Sequence, residues 1–241
     1  MEWKVEGQTR EALVFLPNNP SDIPSPLVFV WHGHGGHAQE MVNAFPLYRN
    51  WPEAIVVYPQ GLRTPGKLTD FEGHLSGWQF NVGDSNDRDL KFFDSMVESL
   101  LKEDETHRRY IFSTGHSNGG RFTQLLWAAR GEKLTAIAPS ASTMMGLLSD
   151  RLKPLPYLHI AGQKDPLVPF SLQQKTIENV LKINNCDEGQ IENKFTTSTV
   201  TRYNSPIHTP VLTLIHEGEH TVPPESIPLI VKFFKQSIPS E

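Results

Sequence analysis

Tyr110-Ile111-Phe112-Ser113-Thr114-Gly115-His116-Ser117-Asn118-Gly119-Gly120 is the stretch on which the fold turns. Its first five residues continue the pattern of a strand buried on both faces: an unbroken run without polar alternation. Residues 119–129 then carry a helical pattern. Between them lies Gly115-x-Ser117-x-Gly119, which matches G-x-S-x-G. A strand that turns this sharply into a helix holds the middle serine in a strained backbone conformation, so its hydroxyl projects above the sheet edge. The residues two before and two after pack against each other, and only small side chains fit there. The helix that opens at Asn118 aims its first amides at the same point and favours negative charge there. The same letters could form a Gly/Ser-rich turn, but strand before and helix after make Ser117 the expected nucleophile.

Outward from this stretch, similar apolar runs recur at 27–31, 54–58, 134–138, 157–161 and 211–215. Helical patterns lie at 39–47, 87–103, 172–183 and 225–236. In 87–103, Leu90, Phe93, Met96, Val97, Leu100 and Leu101 form one stripe, and Asn86 is the expected cap. Strands alternating with helices predict an α/β fold: a mostly parallel central sheet with helices on both faces. Residues 3–6 and 12–16 read as an antiparallel hairpin at the N-terminal edge. Two stretches stand apart. Residues 60–85 form a long loop, of the kind that is usually functional or mobile, and 186–198 read as a polar surface excursion. With no internal repeat and no composition break, residues 1–241 read as a single domain.

Composition excludes several classes. Lys plus Arg is 22 against 27 for Asp plus Glu, a net charge of −5, so nothing basic points to nucleic acid or an anionic membrane. No apolar run approaches the ~20 residues that span a bilayer. Cys186 is the one cysteine, so no intramolecular disulfide is possible. It sits in Asn184-Asn185-Cys186-Asp187 with no basic neighbour to activate it, and reads as a spare thiol. Met1-Glu2-Trp3-Lys4-Val5 lacks the pattern of a signal peptide, which favours a cytoplasmic location for the chain as written; secretion would require a leader removed upstream.

The rest of the chemistry lies after other strands. His32-Gly33-His34-Gly35-Gly36 follows the run ending at Trp31. Acyl transfer builds negative charge on a carbonyl oxygen, and two backbone amides are wanted there. Asn118 and His34 are the expected oxyanion donors. His32, His34 and His37 also fit H-x-H-x-x-H, a metal-hydrolase spacing. Gly36 stands where that signature carries Asp, and a metal would leave the elbow without a purpose, so no metal and no organic cofactor are expected. After 157–161 comes Gly162-Gln163-Lys164-Asp165-Pro166. In chain order Ser, acid, His, Asp165 is the expected acid, although an Asp-Pro turn looks the same locally. After 211–215 come His216 and His220. His220 follows Gly218 in a loop that can return over Ser117, and is the expected base; His216 is expected to pack at the strand end. His159 reads as a satisfied interior histidine, and His74, His107 and His208 as surface or loop residues. Trp78 and Phe80 either wall a substrate pocket or pin the long loop to the sheet. With no separate lid, the site is expected to be open and shallow.

Gly115-His116-Ser117-Asn118-Gly119-Gly120, His32-Gly33 and Gly218-Glu219-His220-Thr221-Val222-Pro223 together resemble the polyhydroxybutyrate depolymerase and feruloyl/acetylxylan esterase group of α/β-hydrolases. The likeness runs from Arg10-Glu11 to the last helix. It implies the α/β-hydrolase fold, Ser117, Asp165 and His220 as the triad, and hydrolysis of small or polymer-end esters of feruloyl, acetyl or hydroxyalkanoate type. Members often carry disulfides and a Trp after the His-Thr pair; here there is one cysteine and Val222. A serine peptidase on the same fold would use the same triad but needs an anchor for a peptide terminus. A non-catalytic binding protein would usually have lost a triad member or an oxyanion glycine, and all are present here.

Overall fold

The computed structural model describes residues 1–17, 25–101, 110–144 and 152–239. The strands are β1 (Glu2–Val5), β2 (Gln8–Phe15), β3 (Leu27–Trp31), β4 (Ile55–Pro59), β5 (Leu62–Arg63), β6 (Ser76–Gly77), β7 (Ile111–His116), β8 (Ala136–Ser140), β9 (Tyr157–Gly162), β10 (Gln190–Lys194), β11 (Ser198–Tyr203) and β12 (Val211–His216). The helices are α1 (Ala38–Ala44), α2 (Leu47–Asn50), α3 (Arg88–Leu101), α4 (Asn118–Arg130), α5 (Phe170–Ile183) and α6 (Ser226–Gln236). The main sheet runs β1-β2-β4-β3-β7-β8-β9-β12-β11-β10. Its centre, β4 to β12, is parallel, and both edges are antiparallel.

The continuous apolar runs are central strands because both faces are covered. In β3, Leu27, Phe29 and Trp31 point to one side and Val28 and Val30 to the other. The first side is covered by α3, α4 and α5 through Phe93, Phe122, Leu126 and Val180. The second is covered by α1, α2 and α6 through Met41, Leu47, Ile230 and Phe234. Each fully buried side chain of this size contributes roughly 1.5–3 kcal/mol.

The N-terminal hairpin forms at the edge as expected. The opposite edge was not anticipated: part of the polar stretch 186–198 forms β10, an exposed strand held to the sheet only by β11. Its residues carry no apolar alternation, because neither face is buried. The strand expected at 134–138 lies two residues later, since Gly131–Lys133 forms a 3-10 turn first. Pro139 sits within it, and the ladder to β9 pairs only Ile137 and Ser140, on either side of the residue with no N–H to give.

Asn86 does not cap α3. Ser85, Asn86 and Asp87 have positive φ in a short 3-10 turn, and the Asn86 amide donates to Glu6 instead. The cap comes from outside the helix: Gln79 Oε1 accepts from the Asp89 and Leu90 amides at 3.0 and 3.3 Å. Beneath it, buried Asp89 pairs with buried Arg10 at 2.8 Å. Gln79 belongs to the long loop 60–85, so loop and helix hold each other. The expected helix tail at 102–103 and His107 lie outside the described residues. No helix among the described residues is long and apolar enough to cross a membrane.

Candidate active site

The C-terminal ends of β3, β7, β9 and β12 open on one side of the sheet, the usual place for a site in an open α/β sheet. At the end of β7, Ser117 has φ 55 and ψ −118, the strained conformation the elbow requires. The glycines explain how the turn closes. A Cβ on Gly115 would lie 2.6 Å from the Gly119 carbonyl, and one on Gly119 would lie 2.2 Å from the Trp31 carbonyl oxygen. The turn is pinned by Ser117 N donating to Ser140 O at 3.0 Å.

Asp165 lies just past β9. Its carboxylate is buried and fully engaged. Oδ1 accepts from the Leu167 and Val168 amides at 2.9 and 2.8 Å. Oδ2 accepts from Gln173 Nε2 at 3.2 Å and from His220 Nδ1 at 2.8 Å. A carboxylate can only accept, so Nδ1 of His220 carries a proton, and in the neutral ring Nε2 is then the acceptor. His220 and Ser117 line the same cavity. The loop that delivers His220 crosses the end of β9 so closely that a Cβ on Gly162 would lie 2.1 Å from the Glu219 carbonyl oxygen. His216 ends β12, is buried, and accepts from the Gly218 amide at 3.2 Å, so it shapes the loop rather than reaching the cavity.

Asn118 is the first residue of α4, where an amide has no intrahelical acceptor. Its side chain clamps the long loop, accepting from Trp78 N at 2.7 Å and donating to Trp78 O at 3.2 Å. The His34 amide, outside any helix or strand, donates to no group among the described residues. The ring of His34 bonds Asp70 Oδ2 at 3.0 Å. Asp70 also accepts from the His74 and Leu75 amides, and these bonds, with the His34 contact, hold it below the usual carboxylate range. His32 accepts from the Gly61 amide at 2.9 Å, and His37 precedes α1. The three histidines of the H-x-H-x-x-H spacing therefore diverge.

The long loop supplies one wall of a cavity of about 550 Å³ through Pro65, Leu68 and Phe80; Val168, Leu172 and Ala141 supply others. The cavity is deeper than the shallow site expected, with the long loop forming one of its walls and no separate lid among the described residues. It also divides the aromatic pair. Phe80 lines the cavity. Trp78 does not: it is 1% exposed, wedged against Trp31 and Phe122, and donates Nε1 to His32 O at 2.9 Å. It pins the loop, because its ring reaches the apolar layer beneath the site.

Three contributors went unnoticed in the sequence. His116, the variable residue of the elbow, packs its ring 4.7 Å from that of His220. Burial first, and then the neighbouring His220, push its pKa down to about 4, so it stays neutral beside His220 at neutral pH. Gln173 joins Asp165 to buried His159, accepting from the His159 ring at 3.1 Å. His159 also bonds Tyr157, and is the satisfied interior histidine expected. Arg121 lines the cavity from the first turn of α4. Only the position of Gln173, four residues past Pro169 at a helix start, offered any signal, and it was a structural one.

No protein-family model matches the chain. Feruloyl esterase D of Neurospora crassa is 24% identical over 196 residues, covering 76% of this chain and 62% of that protein. Feruloyl esterase C of Emericella nidulans is 26% identical over 223 residues, covering 88% and 76%. The chain thus spans under two thirds of the Neurospora relative. Among solved structures, an acetyl xylan esterase from Aspergillus awamori superposes with a TM-score of 0.65 at 14% identity, covering 93% of each chain.

Proposed function

The chain is an α/β-hydrolase related to feruloyl esterases, and on that premise we propose that it is a serine carboxylic ester hydrolase working through an acyl-enzyme. The observation that carries this reading is the His220–Asp165 bond, which leaves Nε2 as the proton acceptor in the cavity that Ser117 also lines. Ser117 Oγ attacks the ester carbonyl while His220 Nε2 takes its proton. The amides of His34 and Asn118 receive the oxyanion, each contributing ~2.7–4 kcal/mol of transition-state stabilisation. Asp165 orients His220 and stabilises the imidazolium. His220 then protonates the departing alcohol, and water, deprotonated by the same nitrogen, releases the acid.

The substrates proposed are hydroxycinnamoyl and acetyl esters, with hydroxyalkanoate polyesters as the outer case. The mostly apolar cavity has room for an aromatic or medium aliphatic group. The test is a panel of acetyl, butyryl and feruloyl esters and a polyester film, run with wild type and Ser117→Ala. Ester turnover falling by about 10⁴-fold or more in a folded Ser117→Ala protein is expected. Turnover retained in that variant, or no fluorophosphonate labelling of wild type, would move the chemistry elsewhere.

A further inference from the structure

The cavity beside Ser117 has cations in its wall and no acid. Arg121 and Lys67 line it, and neither aspartate nor glutamate does among the described residues. Arg121 is 3% exposed. Its terminal nitrogens donate to the Thr143 and Phe80 carbonyls, each at 3.2 Å, and to Asn81 Oδ1 at 3.4 Å. Its Nε has no partner. No carboxylate among the described residues lies within ion-pair distance of it. Burial lowers its pKa to about 10, with Asp84 acting only through space, so it is charged at neutral pH.

Beside it stands a second orphan. Ser142 is 2% exposed, lines the same cavity, and its hydroxyl has no partner. It follows Ala141, whose φ of 47 is strained for a residue with a side chain. Across Phe80, whose ring the Arg121 guanidinium faces at 4.3 Å, the exposed Lys67 brings its ammonium to 5.6 Å from the same ring.

A guanidinium taken out of water without a counter-ion is costly, and native proteins pair such charges. Carbonyl oxygens solvate Arg121 in part and Asp84 acts on it through space, but among the described residues no carboxylate meets it directly. In a wall that is mostly apolar and carries no acid among the described residues, the missing half of the ion pair is most simply a group that arrives with the ligand. We propose that this cavity takes esters bearing a carboxylate remote from the scissile bond. Arg121 and Ser142 receive that carboxylate, and Lys67 attracts it at the wall. The inference rests on the esterase reading and narrows its substrate class.

Two matched pairs test it: monoethyl glutarate against its neutral amide isostere, for a carboxylate on the acyl side, and O-acetylglycolate against O-acetylglycolamide, for the alcohol side. In at least one pair, wild type is expected to favour the anion by about tenfold in kcat/KM. Lys67→Gln, on an exposed side chain, should cut that ratio several-fold, and Arg121→Gln should abolish it if the protein folds. Neutral esters hydrolysed as fast as their anionic partners in both pairs would overturn the proposal and leave the esterase intact. If nothing is hydrolysed and fluorophosphonate does not label the protein, the esterase reading falls. Calorimetric titration with glutarate then decides the anion site: binding weakened by Lys67→Gln supports it, and no binding overturns it.

Discussion

Asp165 and His220 show how one side chain sets the state of another. Four donors converge on Asp165 and fix the orientation of its carboxylate. Asp165→Asn can offer N–H to His220 and force the wrong tautomer; kcat should fall by about 10⁴-fold with the fold intact, read by steady-state kinetics alongside circular dichroism. His34 joins the oxyanion role proposed for its amide to a contact that its ring makes with Asp70. A main-chain donor tolerates side-chain changes, which would make His34→Ala mild. The ring, however, ties Asp70 and with it the cavity wall. His34→Ala is therefore expected to raise KM more than it lowers kcat, with faster amide exchange across 66–76. An unchanged exchange pattern would mean the tether carries no weight.

Elements meet here at backbone distance. At the elbow, β7 turns into α4 against the end of β3, and Gly119 fills the last space. Gly119→Ala would drive a methyl into the Trp31 carbonyl, where only backbone can yield. A loss of about 3 kcal/mol or more is expected in urea unfolding. The same substitution should impair activity, since the shift moves Ser117. Gln79 couples the long loop to α3. Gln79→Ala leaves the first amides of α3 uncapped and takes a partner from Asp87, for a cost of about 1–2 kcal/mol. These joints also mark the limit of legibility. The elbow was readable because its glycines are adjacent in sequence. The α3 cap was not, because its donor and acceptor come from separate segments and Asn86, the local candidate, is drawn off to Glu6.

Among the described residues burial lowers the pKa of four imidazoles, and three of them fall far below the ordinary value. His32, His116 and His159 are each lowered to about 4, with burial the first cause in every case. In the unfolded chain they titrate near 6.5. Between those values the unfolded state binds more protons, so stability rises with pH across the window. The contribution is complete above about pH 6.5 and is lost progressively as pH falls toward 4. Melting temperature should be level at neutral pH and drop below it, and unfolding near pH 5 should take up protons. His159→Gln should reduce that uptake by about one proton even where it lowers stability. Melting that did not respond across this window would show that the three rings titrate normally.

The letters alone pointed to the α/β alternation, the elbow at Ser117, and a chain order of serine, acid and histidine, because each rests on periodicity or on residues close in the chain. Only the tertiary structure decided which histidine near β12 reaches the cavity, that Trp78 is core and Phe80 is wall, that residues 190–194 form an edge strand, and that Arg121 is buried with no direct carboxylate partner among the described residues. Those outcomes depend on which surfaces meet across the sheet ends. Local sequence carries no record of a neighbour that is distant along the chain.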